Sequence, residues 1–226
     1  MKLLAIDTST DACSAALAIE GAVVERCALT PRGHAEHILP MVEALLGEAG
    51  LSLAGLDALA FGRGPGSFTG VRIAAGVIQG LALGTNLPVV PVSSLAALAQ
   101  GAGADRILAA LDARMDEVYW GAYVRGVDGL VRVVGTERVL APCRIPLPAG
   151  DHWTGVGSGW DRYAELLQQR VGEKLDGWLP GRHPHARDVA LLGAEGYRCG
   201  LAVAAELALP VYLRDEIVRC RDPDPR

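Results

Sequence analysis

Residues 2–26 read KLLAIDTSTDACSAALAIEGAVVER, and this stretch decides how the fold begins. Its apolar runs, 2–7, 13–19 and 22–26, are separated by a polar turn at 8–11 and by the pair Glu20-Gly21. Short apolar runs bounded by turn residues predict strands. Glycine takes a positive φ without strain, so Glu20-Gly21 suits a tight hairpin. The chain is therefore predicted to open with a three-strand antiparallel meander.

The same pattern returns after a glycine-rich stretch at 101–105. Residues 106–112 are apolar, 117–124 alternate around aromatic residues, and 130–134 follow a turn at Asp128-Gly129. A second three-strand meander is therefore predicted. The two meanders indicate a duplicated architecture, with a first subdomain over 1–103 and a smaller second subdomain over 104–226. The last residues, 222–226, are predicted to form a disordered tail.

Helices and further strands are predicted around these meanders. Apolar residues recur at helical spacing over 38–49, and Gly50 stands where a C-terminal cap belongs. Pro40 either starts this helix or kinks it. The other predicted helices cover 71–83, 93–100, 160–171 and 188–198, and the other predicted strands cover 57–62, 87–92 and 153–157.

The composition limits the function classes. Half of the 226 residues are apolar, the net charge is -5, and the five cysteines are scattered. A mildly acidic chain lacks the basic face of an autonomous nucleic-acid binder. Cysteines without disulfide or metal spacing are typical of a cytoplasmic protein. Asp7 ends the first apolar run too early for a signal peptide, and no run of about 18 apolar residues predicts a membrane span.

Segments along the whole chain carry a resemblance to a known family. They are Leu4–Ser9, Gly64–Arg72, Leu111–Tyr119 and Pro210–Arg214, of which Gly-Pro-Gly-Ser-Phe-Thr-Gly at 64–70 is the most specific. With these segments the sequence resembles the TsaB family, whose members are partner subunits of the bacterial tRNA threonylcarbamoyladenosine synthase. The resemblance implies an actin-like α/β fold, that of the acetate kinase, sugar kinase, Hsp70 and actin superfamily.

The resemblance also implies partners. TsaB proteins associate with TsaD, which transfers a threonylcarbamoyl group to adenosine in tRNA, and the small ATPase TsaE joins them. They are regarded as scaffolds or activators that have lost the active site, and they form homodimers through the first domain. The expectation is a non-catalytic subunit without a cofactor or metal, which meets tRNA only through the complex. The alternative is an active kinase or ATPase of the same superfamily.

The turn Asp7-Thr8-Ser9 is the first candidate cofactor site. In active members of the superfamily this turn holds a metal-bound phosphate, and a carboxylate with hydroxyls or amides suits that role. The other interpretation is a turn whose side chains bond to their own backbone. The alternative enzyme would use this turn together with Asp112 and the loop at 64–70.

The glycine-rich segment 62–70 is the second candidate. A glycine-rich turn that enters a helix N-terminus favours anions, which makes Gly66, Ser67 and Thr69 candidate phosphate contacts. The segment lacks the Gly-Lys-Ser/Thr ending of a Walker motif, and Arg72 is the nearest substitute cation. A structural or partner-contacting loop is the favoured interpretation, and Ser67 or Thr69 is predicted to cap the following helix.

Two segments argue against catalysis. By the resemblance, Ser94 and Leu98 occupy the positions of the two metal-binding histidines of TsaD, and neither side chain replaces an imidazole. At Asp112-Ala113-Arg114 an active relative would have paired glycines. His34 and His37 form a His-x-x-His pair without a third ligand nearby, and are interpreted as polar surface residues.

The predicted association surface lies on helices of the first subdomain. Gly76, Gly80 and Gly84, four residues apart, would form a flat ridge on one helix face. Each interior glycine costs about 1 kcal/mol relative to alanine, so a series in register indicates that another backbone packs close. The ridge faces either its own sheet or a partner helix. The full predicted set is Ile38, Val42, Leu45, Arg72, Gly76, Gly80 and Gly84.

Overall fold

The first half of the chain folds into one mixed sheet in the computed structural model, which describes residues 1–214. Strands β1 (Lys2–Asp7), β2 (Ala12–Ile19) and β3 (Ala22–Leu29) form the predicted antiparallel meander. Strands β4 (Ala58–Gly62) and β5 (Val89–Val92) continue the sheet in parallel, in the order β3-β2-β1-β4-β5. Both hairpin residues, Glu20 and Gly21, have positive φ, as a two-residue turn requires.

The second sheet repeats this topology. Strands β6 (Arg106–Arg114), β7 (Glu117–Arg125) and β8 (Val131–Leu140) form the second predicted meander, and β9 (Trp153–Val156) and β10 (Leu175–Leu179) extend it in parallel. The strand order β8-β7-β6-β9-β10 matches that of the first sheet. The duplicated, actin-like α/β fold is thus confirmed. Strand β10 was not predicted, because its five residues include Asp176 and Gly177 and are only partly buried.

Within residues 1–214, five α-helices pack against these sheets. They are α1 (His34–Glu48), α2 (Phe68–Thr85), α3 (Ser94–Gln100), α4 (Ser158–Val171) and α5 (Ala186–Arg198). Helices α1 and α2 cover one face of the first sheet, and α5 covers the other. Helix α4 covers the outer face of the second sheet, whereas α3 packs on its inner face and contacts α5. Helix α5 therefore joins the first sheet although it follows the second in the chain. The boundary between residues 103 and 104 stays a prediction.

Helix α1 begins earlier than its apolar pattern indicated. It starts at His34 and continues through the exposed Pro40, so the interpretation that the helix starts at the proline is wrong. Gly33 has a positive φ and serves as the N-cap. Polar and small residues at 34–37 concealed the first turn, because helical periodicity is visible only where apolar residues recur.

Helix α2 is the one helix within residues 1–214 whose length and hydropathy would suffice for a membrane span. Its residues Val71, Ala74, Ile78 and Ala82 are buried against the first sheet. Since a helix that packs in a protein core meets the same criteria, this is weak evidence for a membrane.

The thiols that the structure describes are free. They are Cys13, Cys27, Cys143 and Cys199. Cys220 and the predicted tail at 222–226 lie outside the described residues.

Candidate functional site

The turn after β1 is buried, and several of its hydrogen bonds are internal. Asp7, Thr8 and Ser9 are each 0% exposed. The Asp7 Oδ1 atom accepts hydrogen bonds from the backbone N of Ser9 at 2.9 Å and from its Oγ at 2.8 Å. An aspartate that bonds to the residue two positions on is a common turn-forming arrangement. The geometry favours the second interpretation of this segment, a turn bonded to itself.

The glycine loop covers this turn with its backbone. The backbone N of Ser67 donates to the carbonyl oxygen of Ser9 at 2.7 Å, and Thr8 Oγ1 donates to the carbonyl oxygen of Gly70 at 2.7 Å. A Cβ atom at Gly66 or Gly70 would overlap the carbonyl oxygens of Ser9 and Thr8. These two glycines therefore allow one backbone to approach another, so a phosphate could not reach the turn without displacing the loop.

The Asp7 carboxyl is enclosed as well as buried. Its Oδ2 atom forms no hydrogen bond within the described residues, and a Cβ at Gly62 would overlap it. Burial raises the pKa of Asp7 to about 6, against the opposing effect of its hydrogen bonds from Ser9. A carboxylate in this position has no open side for a hydrated cation.

The two positions matched to the TsaD histidines are structural. The Ser94 Oγ accepts from the backbone N of Gly64 at 3.2 Å, and the Ser94 backbone N donates to the Gly64 oxygen at 2.9 Å. Leu98 is 1% exposed, in the core between α3 and the second sheet. Within residues 1–214 no group of three or more His, Cys, Asp or Glu side chains could hold a metal ion.

The turn between β6 and β7 presents a neutralised carboxylate. Asp112 Oδ2 lies 3.0 Å from a guanidinium nitrogen of Arg162 and 3.4 Å from one of Arg114. Two arginines compete with any cation for this side chain. Ala113 is buried, whereas the Arg114 side chain is 79% exposed. An active relative is expected to have glycines at both positions, and here only the Ala113 side chain occupies interior space. Arg114, Met115 and Asp116 all have positive φ.

The segment Pro210–Arg214 is a structural feature whose role the sequence did not reveal. The backbone N of Val211 donates to the carbonyl oxygen of Arg63 at 2.8 Å, beside the glycine loop. The Arg214 guanidinium donates to Glu117 and to the carbonyl oxygen of Ala113, on the second sheet. The segment thus connects the first-sheet loop to the second meander. The two Arg214 contacts join residues about a hundred positions apart and the Val211 contact spans still more of the chain, so no local pattern indicates them.

Part of the predicted association surface is wrong. Ile38, Val42 and Leu45 are 0%, 2% and 2% exposed, and they belong to the core under the first sheet. His34 is also buried, at 7% exposed, so its interpretation as a surface residue is wrong. Only His37 of that pair is exposed. The apolar face of α1 meets its own sheet, as the amphipathic pattern of a surface helix normally does.

The glycine ridge faces outward. Gly76, Gly80 and Gly84 are exposed, and a Cβ at any of them would meet no atom within 4 Å. The interpretation that the ridge packs on its own sheet is therefore wrong. Next to it, the Arg72 guanidinium lies 3.3 Å from the centre of the exposed Phe68 ring and 4.8 Å from that of Tyr212. Arg72 is thus engaged with aromatic rings and does not replace a phosphate-binding lysine.

The fold and these turns define a class: an actin-like α/β protein in which the turns that are candidates for phosphate contact are closed by its own residues. A family model described as "TsaD: tRNA N6-adenosine threonylcarbamoyltransferase" matches residues 27–219. The tRNA threonylcarbamoyladenosine biosynthesis protein TsaB of Escherichia coli K12 is 46% identical, over 96% of each chain. TsaB of Haemophilus influenzae is 40% identical, over 96% of this chain and 95% of its own. The chain belongs to the TsaB family.

Solved structures agree with this assignment. YeaZ from Pseudomonas aeruginosa is 49% identical and superimposes with a TM-score of 0.88, over 94% of this chain and 99% of its own. A second structure, an uncharacterized protein with similarity to peptidase YeaZ from Pseudomonas aeruginosa, is 50% identical with the same TM-score and coverage.

Proposed function

We propose that this chain is a non-catalytic subunit for tRNA threonylcarbamoyladenosine biosynthesis, the process for which its relatives are named. In this proposal it binds a TsaD-type transferase, with TsaE joining the complex, and it pairs with a second copy of itself when TsaD is absent. It works in the cytoplasm and meets tRNA only through the complex.

The exposed glycine ridge of α2 is the observation that carries the proposal. Interior glycines cost a helix about 1 kcal/mol each. Among the described residues no atom lies within 4 Å of a Cβ placed at Gly76, Gly80 or Gly84, so no close approach within residues 1–214 explains these glycines. Glycines in register allow a second helix to approach closely. Phe68 and Leu83, at the two ends of the ridge, are 61% and 70% exposed, and Leu39 on α1 is 42% exposed. Apolar side chains beside a flat ridge favour a protein partner.

The closed turns support the non-catalytic part of the proposal. Asp7, Thr8 and Ser9 are buried under the glycine loop, and the Asp112 carboxylate is paired with Arg114 and Arg162. A kinase or ATPase needs these groups open to nucleotide and metal. Partner binding through the helices needs none of them.

Light scattering after size-exclusion chromatography, of the chain alone and mixed with TsaD, tests the proposal. In Gly80→Leu the new side chain enters open space, so the helix keeps or gains up to about 1 kcal/mol of stability while the ridge is blocked. We expect this variant to be a folded monomer whose affinity for TsaD falls at least about tenfold, a loss of about 1.4 kcal/mol.

Gln168→Leu is the matched control, because it adds the same side chain to an exposed position of α4 on the opposite outer layer. It should associate as the unaltered chain does. If Gly80→Leu still pairs with itself and with TsaD at unchanged affinity, the ridge is not the docking surface. If the unaltered chain forms no complex with TsaD, the proposal that the two proteins are partners is wrong.

A further inference from the structure

A flanking segment, residues 201–213, runs along one side of α2. The Gln79 side chain in the middle of the helix donates a hydrogen bond to the carbonyl oxygen of Ala208 at 3.2 Å. At the start of the helix, the centres of the Phe68 and Tyr212 rings lie 6.1 Å apart. The flanking segment therefore runs antiparallel to α2, and its earlier residues lie beside the end of the helix.

The helix and the flanking segment carry one charge each. Arg72 is the only charged residue of α2, and Glu206 is the only one of the flanking segment. Arg72 lies near the start of the helix and on the side of the flanking segment, since its guanidinium is 4.8 Å from the centre of the Tyr212 ring. Glu206 lies near the other end, where it lines a cavity together with Leu83. This otherwise uncharged side of α2 thus has a cation at one end and a carboxylate at the other.

Neither charge is neutralised by the described residues. Arg72 and Glu206 are both exposed, and neither forms an ion pair within residues 1–214. The Arg72 guanidinium is nevertheless held in place. It lies 3.3 Å from the centre of the Phe68 ring and donates a hydrogen bond to the Phe68 carbonyl oxygen at 3.0 Å. A guanidinium that is already fixed loses less conformational freedom when it meets a carboxylate.

The side chains near these charges are largely apolar. Leu207 and Leu209 of the flanking segment are 59% and 56% exposed, and Tyr212 is 44% exposed. Phe68 and Leu83 of α2 are exposed as well. Aromatic residues and arginine are enriched in protein–protein interfaces. An apolar surface of this kind, with charges at its ends, favours a protein partner.

A second copy of this chain has the charge pattern that complements this surface. In a two-fold pair, residue i of one copy contacts residue j of the other, and j contacts i. Consider a two-fold axis that lies in the contact plane and crosses the middle of α2 at right angles. It makes the two helices antiparallel and keeps both flanking segments on the same side. The Arg72 end of each copy then faces the Glu206 end of the other, so opposite charges meet twice.

We propose that the self-pair of this chain is a two-fold dimer with antiparallel α2 helices, in which Arg72 of each copy binds Glu206 of the other. The inference rests on the proposed self-pairing, to which it adds the arrangement of the two copies and the residues that select it. Charges at the edge of an interface fix its orientation and register more than its affinity.

Charge reversal tests this arrangement, with sedimentation equilibrium of the full chain as the measurement of self-association. Arg72→Glu brings two carboxylates together at both contacts, and Glu206→Arg brings two guanidinium groups together. We expect each variant alone to self-associate at least about tenfold more weakly than the unaltered chain. The difference should shrink in about 1 M salt, where the Debye length is about 3 Å.

A mixture of the two variants gives the decisive result. When one copy carries Arg72→Glu and the other Glu206→Arg, each of the two contacts again joins an arginine to a glutamate. An equimolar mixture should therefore pair as tightly as the unaltered chain. The double variant Arg72→Glu/Glu206→Arg should also pair with itself at that affinity, because both of its charges are exchanged.

Two variants on the second sheet and its helix layer serve as controls. Arg138→Glu on β8 and Glu173→Arg in the turn after α4 make the same charge changes at exposed positions. Both should self-associate as the unaltered chain does. Circular dichroism of every variant checks that the fold is retained.

The outcomes separate this inference from the proposed function. If either reversal leaves self-association unchanged, or if the mixture and the double variant stay as weak as the single variants, the arrangement is wrong although the self-pairing stands. If Arg72→Glu weakens binding to TsaD and not self-association, the surface serves the transferase and the inference is overturned. If the unaltered chain is monomeric at every concentration, the proposed self-pairing is wrong and the inference is wrong with it.

Discussion

The Asp7 carboxyl illustrates how a residue type that is common in ligand sites serves as a structural group in this chain. It is wholly buried, one oxygen accepts two hydrogen bonds from Ser9, and the other has no partner within residues 1–214. In water such a carboxylate would be free to meet a cation. Here the surrounding backbone of Gly62 leaves no room for one. The residue type is that of a phosphate site, but the environment is that of a core.

Burial of Asp7 predicts a specific pH dependence of stability. Its pKa rises from 3.8 to about 6, so the folded state binds the proton more tightly than the unfolded state. The contribution of Asp7 to the free energy of unfolding is therefore fully present below pH 3.8 and is lost as the pH rises through about 6. Between pH 4.5 and 7.5 this group should cost about 2 kcal/mol of unfolding free energy. We expect Asp7→Asn to remove about that much of the pH dependence in urea unfolding.

Asp151→Asn, which removes a carboxyl from an exposed position, is the matched comparison, and the pH dependence of its unfolding is measured beside that of Asp7→Asn. Part of the dependence should remain in Asp7→Asn, because burial also raises the pKa of Asp188 to about 6. An Asp7→Asn variant with the full pH dependence of the unaltered chain would show that Asp7 ionises freely in the folded state.

Among the elements, helix α5 depends on strands far away in sequence. The N-cap residue His185 makes no side-chain cap. Instead, Ser14 Oγ of β2 accepts from the backbone N of Ala186 at 2.9 Å, and Glu25 of β3 accepts from the backbone N of Arg187 at 3.0 Å. The first sheet thereby caps the helix that packs on it. This explains how α5 returns to the first sheet after the chain has built the second.

Loss of this cap should loosen α5. In Ser14→Ala the buried N–H of Ala186 loses its acceptor, which should lower the unfolding free energy by about 1–2 kcal/mol. Amide hydrogen exchange should increase along α5. Ser67→Ala removes a cap from α2, where Ser67 accepts from the backbone N of Gly70 at 3.4 Å, and it should leave the exchange of α5 unchanged. Equal protection of α5 in Ser14→Ala and the unaltered chain would contradict the cap.

For the whole molecule, the segment Pro210–Arg214 connects the two sheets at their turns. Val211 bonds to Arg63 at the glycine loop, and Arg214 bonds to Glu117 at the start of β7. Together with the packing of α3 against α5, this segment ties the two halves to each other.

Arg214→Ala should release this connection. Its ion pair with Glu117 is partly exposed, with side chains 26% and 34% accessible, so solvent screening limits the loss to about 1 kcal/mol. We expect hydrogen exchange at the Val211 amide to become faster, and the increase should be larger than the lower stability of the whole protein would cause. Arg198→Ala breaks a more exposed pair with Glu195 on α5 and should leave Val211 unaffected. Unchanged exchange at Val211 in Arg214→Ala would show that the segment is held by its backbone alone.

The sequence by itself determined the two meanders, the helices after the glycine loop and the family. Apolar runs with turn residues between them fix strands locally, so β1 to β3 and β6 to β8 were visible without tertiary contacts. The sequence also identified the exceptional residues, among them Asp7, the glycine loop and the glycine ridge. It did not determine what each of them contacts.

Only the tertiary structure decided those contacts. Helical periodicity shows which residues share a face, but not whether that face meets a sheet or a partner, so Ile38 is core while Gly80 is exposed. Glycine spacing likewise did not show that Gly66 and Gly70 pack closely against the backbone of the turn at Thr8 and Ser9. The cap of α5 by Ser14 and the bond of Arg214 to Glu117 join residues 172 and 97 positions apart. Local sequence cannot specify such pairs, because they form only when both sheets are in place.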